Sequence, residues 1–265
     1  MAKKNGHDDS EDPKIARFPD ARERREIDHR LRAANDPKPP SEPMLNLPPA
    51  VKYLCLSMIL AYAPMGVLRF MSPDDQINPI YVWVLENLSF TAARYTGAEP
   101  FGWQAIVSPV SYMLLHAGLL HLSLNIATLA AFGAGLERTT GGKKMLLIFL
   151  ATGIIAAFSQ ALVYVVCGFA GHLEWFADGD APLIGASGGI SGVVGAVIVM
   201  AKDKGMLNDF LNGRITKPVL AIVASILLFG LFGMPGAGGA IAWIPHLGGF
   251  IAGLLLYRPV ARLKM

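Results

Sequence analysis

Six apolar runs, each close to the length needed to cross a lipid bilayer, exclude most of the folds open to a chain of 265 residues. A hydrocarbon core of about 30 Å takes roughly 20 helical residues. Runs of that order lie near 51–70, 117–137, 145–168, 185–201, 217–234 and 241–258. The fourth is the shortest and the richest in glycine, and its start is set by Ser187. Lipid offers the backbone no water to bond with, so runs of this kind must be helices. Composition agrees, with 53% hydrophobic and 16% charged residues and a mean hydropathy of +0.43, both far from soluble averages. The expected fold class is all-α, a polytopic bundle of six transmembrane helices.

The placement of charge orients that bundle. Short cytoplasmic loops collect Lys and Arg, and with the N-terminus inside, the inner connections hold Arg138, Lys143 and Lys144, then Lys202, Lys204, Arg214 and Lys217, and finally Arg258, Arg262 and Lys264. The outer ones are nearly bare: Glu174, Asp178 and Asp180 stand without Lys or Arg, and the 71–110 loop sets Arg94 against Asp74, Asp75, Glu86 and Glu99. The alternation predicts both termini inside. Three regions follow: a charged, Pro-rich cytosolic tail over 1–50, a six-helix domain over 51–258, and a short cytosolic C-terminal tail over 259–265. Within the first tail, Ile27, Leu31 and Ala34 share one side of an expected helix over 20–34. In the first outer loop, residues 77–90 are too short to span but rich in aromatics, which suits a headgroup anchor; counting them as a crossing would break the charge alternation.

The net charge of +3 sits where a membrane protein keeps it and gives no nucleic-acid footprint. Cys55 and Cys167 stand in apolar runs without metal-ligand spacing, so they read as buried small hydrophobes, and neither metal nor cofactor is expected.

Three of the six histidines, His116, His121 and His246, fall at or inside spans, where polar side chains are costly and point to function. His121 and Asn125 are four apart and share a helix face. Ser187 lies in IGASGG, where Gly185 and Ala186 allow a sharp turn and Ser187 opens a helix whose free N–H groups suit an oxyanion. Behind it, Ser187, Ser191 and Gly195 predict a face without bulk, and His246, Gly249 and Gly253 a matching face on the sixth span. At 1.5 Å per residue, His121 and Asn125 lie roughly 6 to 12 Å, and His246 roughly 7 Å, below the outer ends of their spans. Serine needs a base to become a nucleophile, and His246 is the one placed to serve. No carboxylate is expected at that depth, so the pattern reads as a Ser-His dyad, with His121, Asn125 and the Ser187 N–H as candidate oxyanion donors.

HAGLLHLSLN (His116, His121, Asn125), GASG (Gly185 to Gly188) and HLGGFIAG (His246 to Gly253) resemble, in order and spacing, the rhomboid family of intramembrane serine proteases, as does Glu137 at the inner end of the second span. The resemblance covers about 51–258. It implies a six-helix rhomboid bundle, with Ser187 as nucleophile, His246 as general base, His121 and Asn125 as oxyanion donors, and His116 holding the outer loop. It also implies single-span membrane-protein substrates, with a small residue at the cut, that enter past the fifth helix. Many family members carry a Trp-Arg pair in the first outer loop. The stretch here reads IVSPVSYMLLH with Trp103-Gln104 upstream, so loop anchoring is expected to differ. A charged, acid-containing N-terminus points to a bacterial inner (cytoplasmic) membrane, with the site opening to the periplasmic side. GASGG also fits the α/β-hydrolase elbow, but that fold needs alternating strands and helices. The other classes are a non-cutting membrane binder, which absence of the Ser or His would favour, and a small transporter, which leaves the pairing of Ser187 with His246 unexplained.

Overall fold

The computed structural model describes residues 20–27, 46–72, 78–169, 182–207 and 243–265. The expected fifth span, 217–234, lies outside the described residues, as do 28–34 of the expected tail helix. The chain divides into two units, 1–46 and 47–265.

In the first unit, helix α1 covers residues 21–27. Asp20 opens it with a capping box: its Oδ1 accepts from the N–H groups of Arg22 and Glu23 at 2.8 and 2.9 Å, and Glu23 Oε2 accepts from the Asp20 N–H at 3.0 Å.

Among its described residues, the second unit's regular elements are all helices, without a strand. Its elements are α2 (Pro49–Phe70), α3 (Pro79–Leu88), α4 (Ala93–Thr96), α5 (Trp103–Ser111), α6 (Leu119–Thr140), α7 (Gly142–Phe169), α8 (Ser187–Asp203) and α9 (Trp243–Ala261). Three of these, α2, α6 and α7, are long and apolar enough to cross a membrane. Short α3 starts at Asn78, whose Oδ1 accepts from the Ile80 N–H at 2.9 Å, and Trp83 stacks obliquely on Trp103 of α5 at 6.4 Å. Helix α6 contains a π segment, Leu129–Gly133, and reverses into α7 at Gly141, whose φ of 89° favours glycine.

Side chains of the helix ends bring one end of the unit together. Helix α2 begins at Pro48-Pro49 with no cap from its own sequence. Glu137, buried near the end of α6, supplies one: its carboxylate accepts from the Ala50 and Val51 N–H groups at 2.9 and 2.8 Å. Lys144 Nζ donates to the Ala261 carbonyl at 2.8 Å, joining the start of α7 to the end of α9. Arg258 donates to both Asp203 oxygens at 3.1 and 2.7 Å, joining α9 to the end of α8.

Helix α8 is the centre of the unit, with ten of its seventeen residues buried. It can be central because its neighbours touch its backbone. Gly189 and Gly192 face Phe149 and Thr152 of α7, leaving no room for a side chain. Toward α9, a Cβ on Gly249 would lie 2.1 Å from the Gly188 carbonyl oxygen, and one on Gly253 1.9 Å from that of Gly192. The closest approaches therefore run through Gly188, Gly192 and Gly195, not the expected Ser187–Ser191–Gly195 row. Spacings of four and then three follow the helix period, whereas two spacings of four drift off the face.

Gly253→Ala must push α8 and α9 apart. It is expected to destabilise by about 1–3 kcal/mol, read as a lower thermal unfolding midpoint in detergent. Gly135→Ala, which meets nothing within 4 Å, should leave the midpoint unchanged.

Candidate active site

The turn ahead of α8 is held from three sides. Leu183 and Phe90 exchange backbone hydrogen bonds, Leu183 N–H to Phe90 O at 2.8 Å and Phe90 N–H to Leu183 O at 3.1 Å. Two residues on, the Gly185 N–H donates to the Tyr112 carbonyl at 2.9 Å. Tyr112 is itself fixed, because its buried hydroxyl donates to the Gly153 carbonyl of α7 at 2.7 Å. Gly185 has φ 114°, and a Cβ there would lie 2.7 Å from both Nε2 and Cε1 of His121. Only glycine satisfies both the backbone and the space.

Ser187 is the first residue of α8, and Ala186 offers no side-chain cap. The first intrahelical bond runs from the Ile190 N–H to the Ala186 carbonyl at 3.0 Å. The N–H groups of Ser187, Gly188 and Gly189 therefore have no acceptor within the helix, and they sit at the positive end of its dipole.

The Gly249–Gly188 contact brings the start of α9 to this turn. His246 is buried, and its Nε2 lies 2.7 Å from Ser187 Oγ. With the proton on Nδ1, Nε2 accepts from the serine hydroxyl. The carboxylates of Glu137 and Asp203 lie at the other end of the helices, and Asp178 and Asp180 are outside the described residues.

On α6, His121 Nδ1 accepts from the Ala117 N–H in a long 3.5 Å contact. In a neutral ring that leaves the proton on Nε2, the atom that lies against Gly185. Asn125, one turn along, is buried; its amide donates to the His121 carbonyl at 2.8 Å and its Oδ1 has no partner. One further amide N–H is left to it. His116 is also buried, donates from Nδ1 to the Leu114 carbonyl at 3.2 Å, and packs edge-on against His121 with ring centres 5.1 Å apart.

Ser187 and His246 are thus in direct contact, Gly185 and His121 abut, and Asn125 and His116 hold His121 from two sides. Gly188, Gly249 and Gly253 make the helix approach, and Glu137 stands at the opposite end as the cap of α2. Sequence reasoning missed Phe90, Tyr112 and Arg94. Phe90 and Tyr112 act mainly through backbone pairing across many residues, which leaves no periodic trace. Arg94, the one arginine between residues 71 and 110, is the one available signal. Among the described residues, no group of three or more His, Cys, Asp or Glu is placed to hold a metal, and Cys55 and Cys167 are free and buried.

The Rhomboid domain matches residues 103–262, more than half of the chain. The chain is 29% identical over 154 residues to rhomboid protease GluP of Bacillus subtilis, a match covering 57% of this chain and 25% of that protein. It is 27% identical over 146 residues to rhomboid protease GlpG of Haemophilus influenzae, covering 55% and 65%. With rhomboid-related protein 2 of Mus musculus it shares 29% identity over 150 residues, covering 55% and 45%. It therefore spans less than two thirds of each of these relatives.

His116 lies just outside the span. Burial, and secondarily the neighbouring His121, hold its pKa down from 6.5 to about 4. The unfolded chain takes up this proton near pH 6.5 and the folded protein only near 4. Its contribution to stability is therefore complete above 6.5 and is lost as pH falls toward 4. His116→Gln is expected to flatten the fall of the thermal midpoint across that window, measured against wild type in the same detergent.

Proposed function

The chain belongs to the rhomboid family, and from that membership we propose that it is an intramembrane serine endopeptidase that cuts transmembrane segments of membrane proteins with Ser187 and His246. The observation that carries the reading is the 2.7 Å contact between His246 Nε2 and Ser187 Oγ at an uncapped helix start. Two of the relatives bear the name rhomboid protease.

In the first step His246 Nε2 takes the hydroxyl proton as Ser187 Oγ attacks the scissile carbonyl carbon. Negative charge gathers on the carbonyl oxygen. The Ser187 N–H, the His121 Nε2–H and the remaining amide N–H of Asn125 are the proposed donors to it. The tetrahedral species collapses as the His246 imidazolium gives its proton to the leaving amine, which leaves an acyl-enzyme on Ser187. Water, deprotonated by His246, then attacks the ester, and the returning proton frees Ser187. No carboxylate is assigned a role. Asn125 has a second task in this scheme, because its bond to the His121 carbonyl steadies the backbone that carries the imidazole.

The proposed architecture keeps six spans, N-in and C-in, with 1–50 and 259–265 as cytosolic tails and 51–258 as the protease domain. Support comes from the two ends of the described unit. Lys144, Arg258 and Lys204 make contacts at the end opposite Ser187, among the terminal residues of α6, α7, α8 and α9. Basic residues on that side fit a cytoplasmic face. The site then opens to the periplasmic side of an inner membrane, and a substrate helix with a small residue at the cut enters from the lipid.

Purified protein in detergent is expected to cleave a single-span model substrate, and Ser187→Ala or His246→Ala to abolish cleavage while the thermal midpoint stays near wild type. Cleavage by Ser187→Ala at the wild-type rate sinks the assignment. Asn125→Ala should slow the reaction by about 10- to 10³-fold.

A further inference from the structure

Arg94 is a buried cation with an unusual set of partners. Its side chain is 9% exposed, Nη1 donates to the Ser89 carbonyl at 2.9 Å, Nη2 donates to the Glu86 carbonyl, and Nε faces Glu99 Oε2 at 3.3 Å. Glu86 and Ser89 belong to the end of α3, where carbonyls lack helical partners and carry the negative end of the dipole. In a continued helix the Glu86 carbonyl would accept from the Phe90 N–H four residues on. That N–H has left the helix and donates to Leu183 instead. Arg94 fills the position that Phe90 vacated.

Phe90 is held from the same short helix in a second way. Its ring is buried and stacks on Tyr95, with centres 5.0 Å apart, and meets Phe158 of α7 edge-on at 5.7 Å. Leu183, which Phe90 grips by both backbone groups, precedes Ser187 by four residues, with Gly185 between them. Without the guanidinium, the Glu86 carbonyl competes for the Phe90 N–H, α3 can extend by a residue, and the hold on Leu183 loosens. An aliphatic side chain at 94 would fill the space but leave both carbonyls without a donor.

We propose that Arg94 is a positioning residue for Ser187: by satisfying the end of α3 it frees Phe90 to hold Leu183 and the turn ahead of the serine. This rests on Ser187 being the nucleophile. The test uses full-length protein in detergent and two measurements, steady-state cleavage of a single-span substrate and hydrogen exchange at Leu183 and Gly185. Arg94→Leu is expected to lower kcat by about 10- to 100-fold with KM little changed, and to speed exchange at Leu183 more than in the α8–α9 core. Arg94→Gln, which keeps one amide to donate, should fall between Leu and wild type in both. Glu99→Gln, which removes only the ion pair, should match wild type in both. The proposal is overturned if Arg94→Leu keeps wild-type kcat, or loses kcat with Leu183 exchange unchanged, or speeds exchange evenly throughout. If Arg94→Leu does not fold, Arg94→Gln decides, and wild-type kcat or unchanged Leu183 exchange in it overturns the proposal. Exchange needs no catalysis, so failure of the protease reading, seen as cleavage by Ser187→Ala, is separate from failure of this one.

Discussion

The contact on which the rest of the structure depends is between two backbones. Gly249 and Gly253 of α9 lie directly on the carbonyls of Gly188 and Gly192 of α8, at separations that admit no Cβ. In lipid there is no hydrophobic gain from pressing two apolar helices together, so association rests on close packing and on weak Cα–H···O contacts of this kind. The geometry has a direct chemical consequence. His246 precedes Gly249 by three residues and Ser187 adjoins Gly188, so the same contact that joins the helices fixes the 2.7 Å separation of imidazole and hydroxyl. Stability and site geometry are one interaction, and a methyl group inserted between the helices would disturb both.

Much of this was legible in the sequence. Apolar length marked five runs that are helices among the described residues, and the serine that opens α8 with the histidine at the start of α9 marked the two groups in contact. What periodicity could not supply was register. The contact row on α8 runs one residue along from the Ser187–Ser191 row, because a four-residue repeat read as letters ignores the fractional turn. Nor could it supply the π segment of α6. Twelve residues separate Asn125 from Glu137, which in a regular helix would leave them about 120° apart. One residue absorbed at Leu129–Gly133 removes about 100° of that and returns both to nearly one face. His121 can then lie by the start of α8 while Glu137 caps α2, from a single helix.

The missing Trp-Arg pair was legible too, but its consequence was not. Gln104 stands after Trp103, and its amide donates to Asn87 Oδ1 at 3.0 Å. The charged anchor of the segment between α3 and α5 is instead Arg94, ten residues before Gln104. A motif search looks for residues at fixed spacing, whereas the physical requirement is only that a fork of donors reach the free carbonyls at the end of α3. Any arginine that the loop can deliver there meets it.

An apolar environment penalises every unpaired backbone group, and the described unit answers at three ends with a side chain from elsewhere: Glu137 for the N–H groups of α2, Lys144 for the carbonyl of Ala261, Arg94 for the carbonyls of α3. The start of α8, like those of α5 and α6, has no side-chain cap. Ala186 cannot cap, His121 turns Nε2 toward Gly185, and the Tyr112 carbonyl is engaged by the Gly185 N–H. An uncapped N-terminus beside a serine costs stability. The cost is intelligible if an acceptor arrives only during turnover, as the proposed oxyanion would, because donors left unsatisfied in the resting protein stabilise that charge without first giving up another partner.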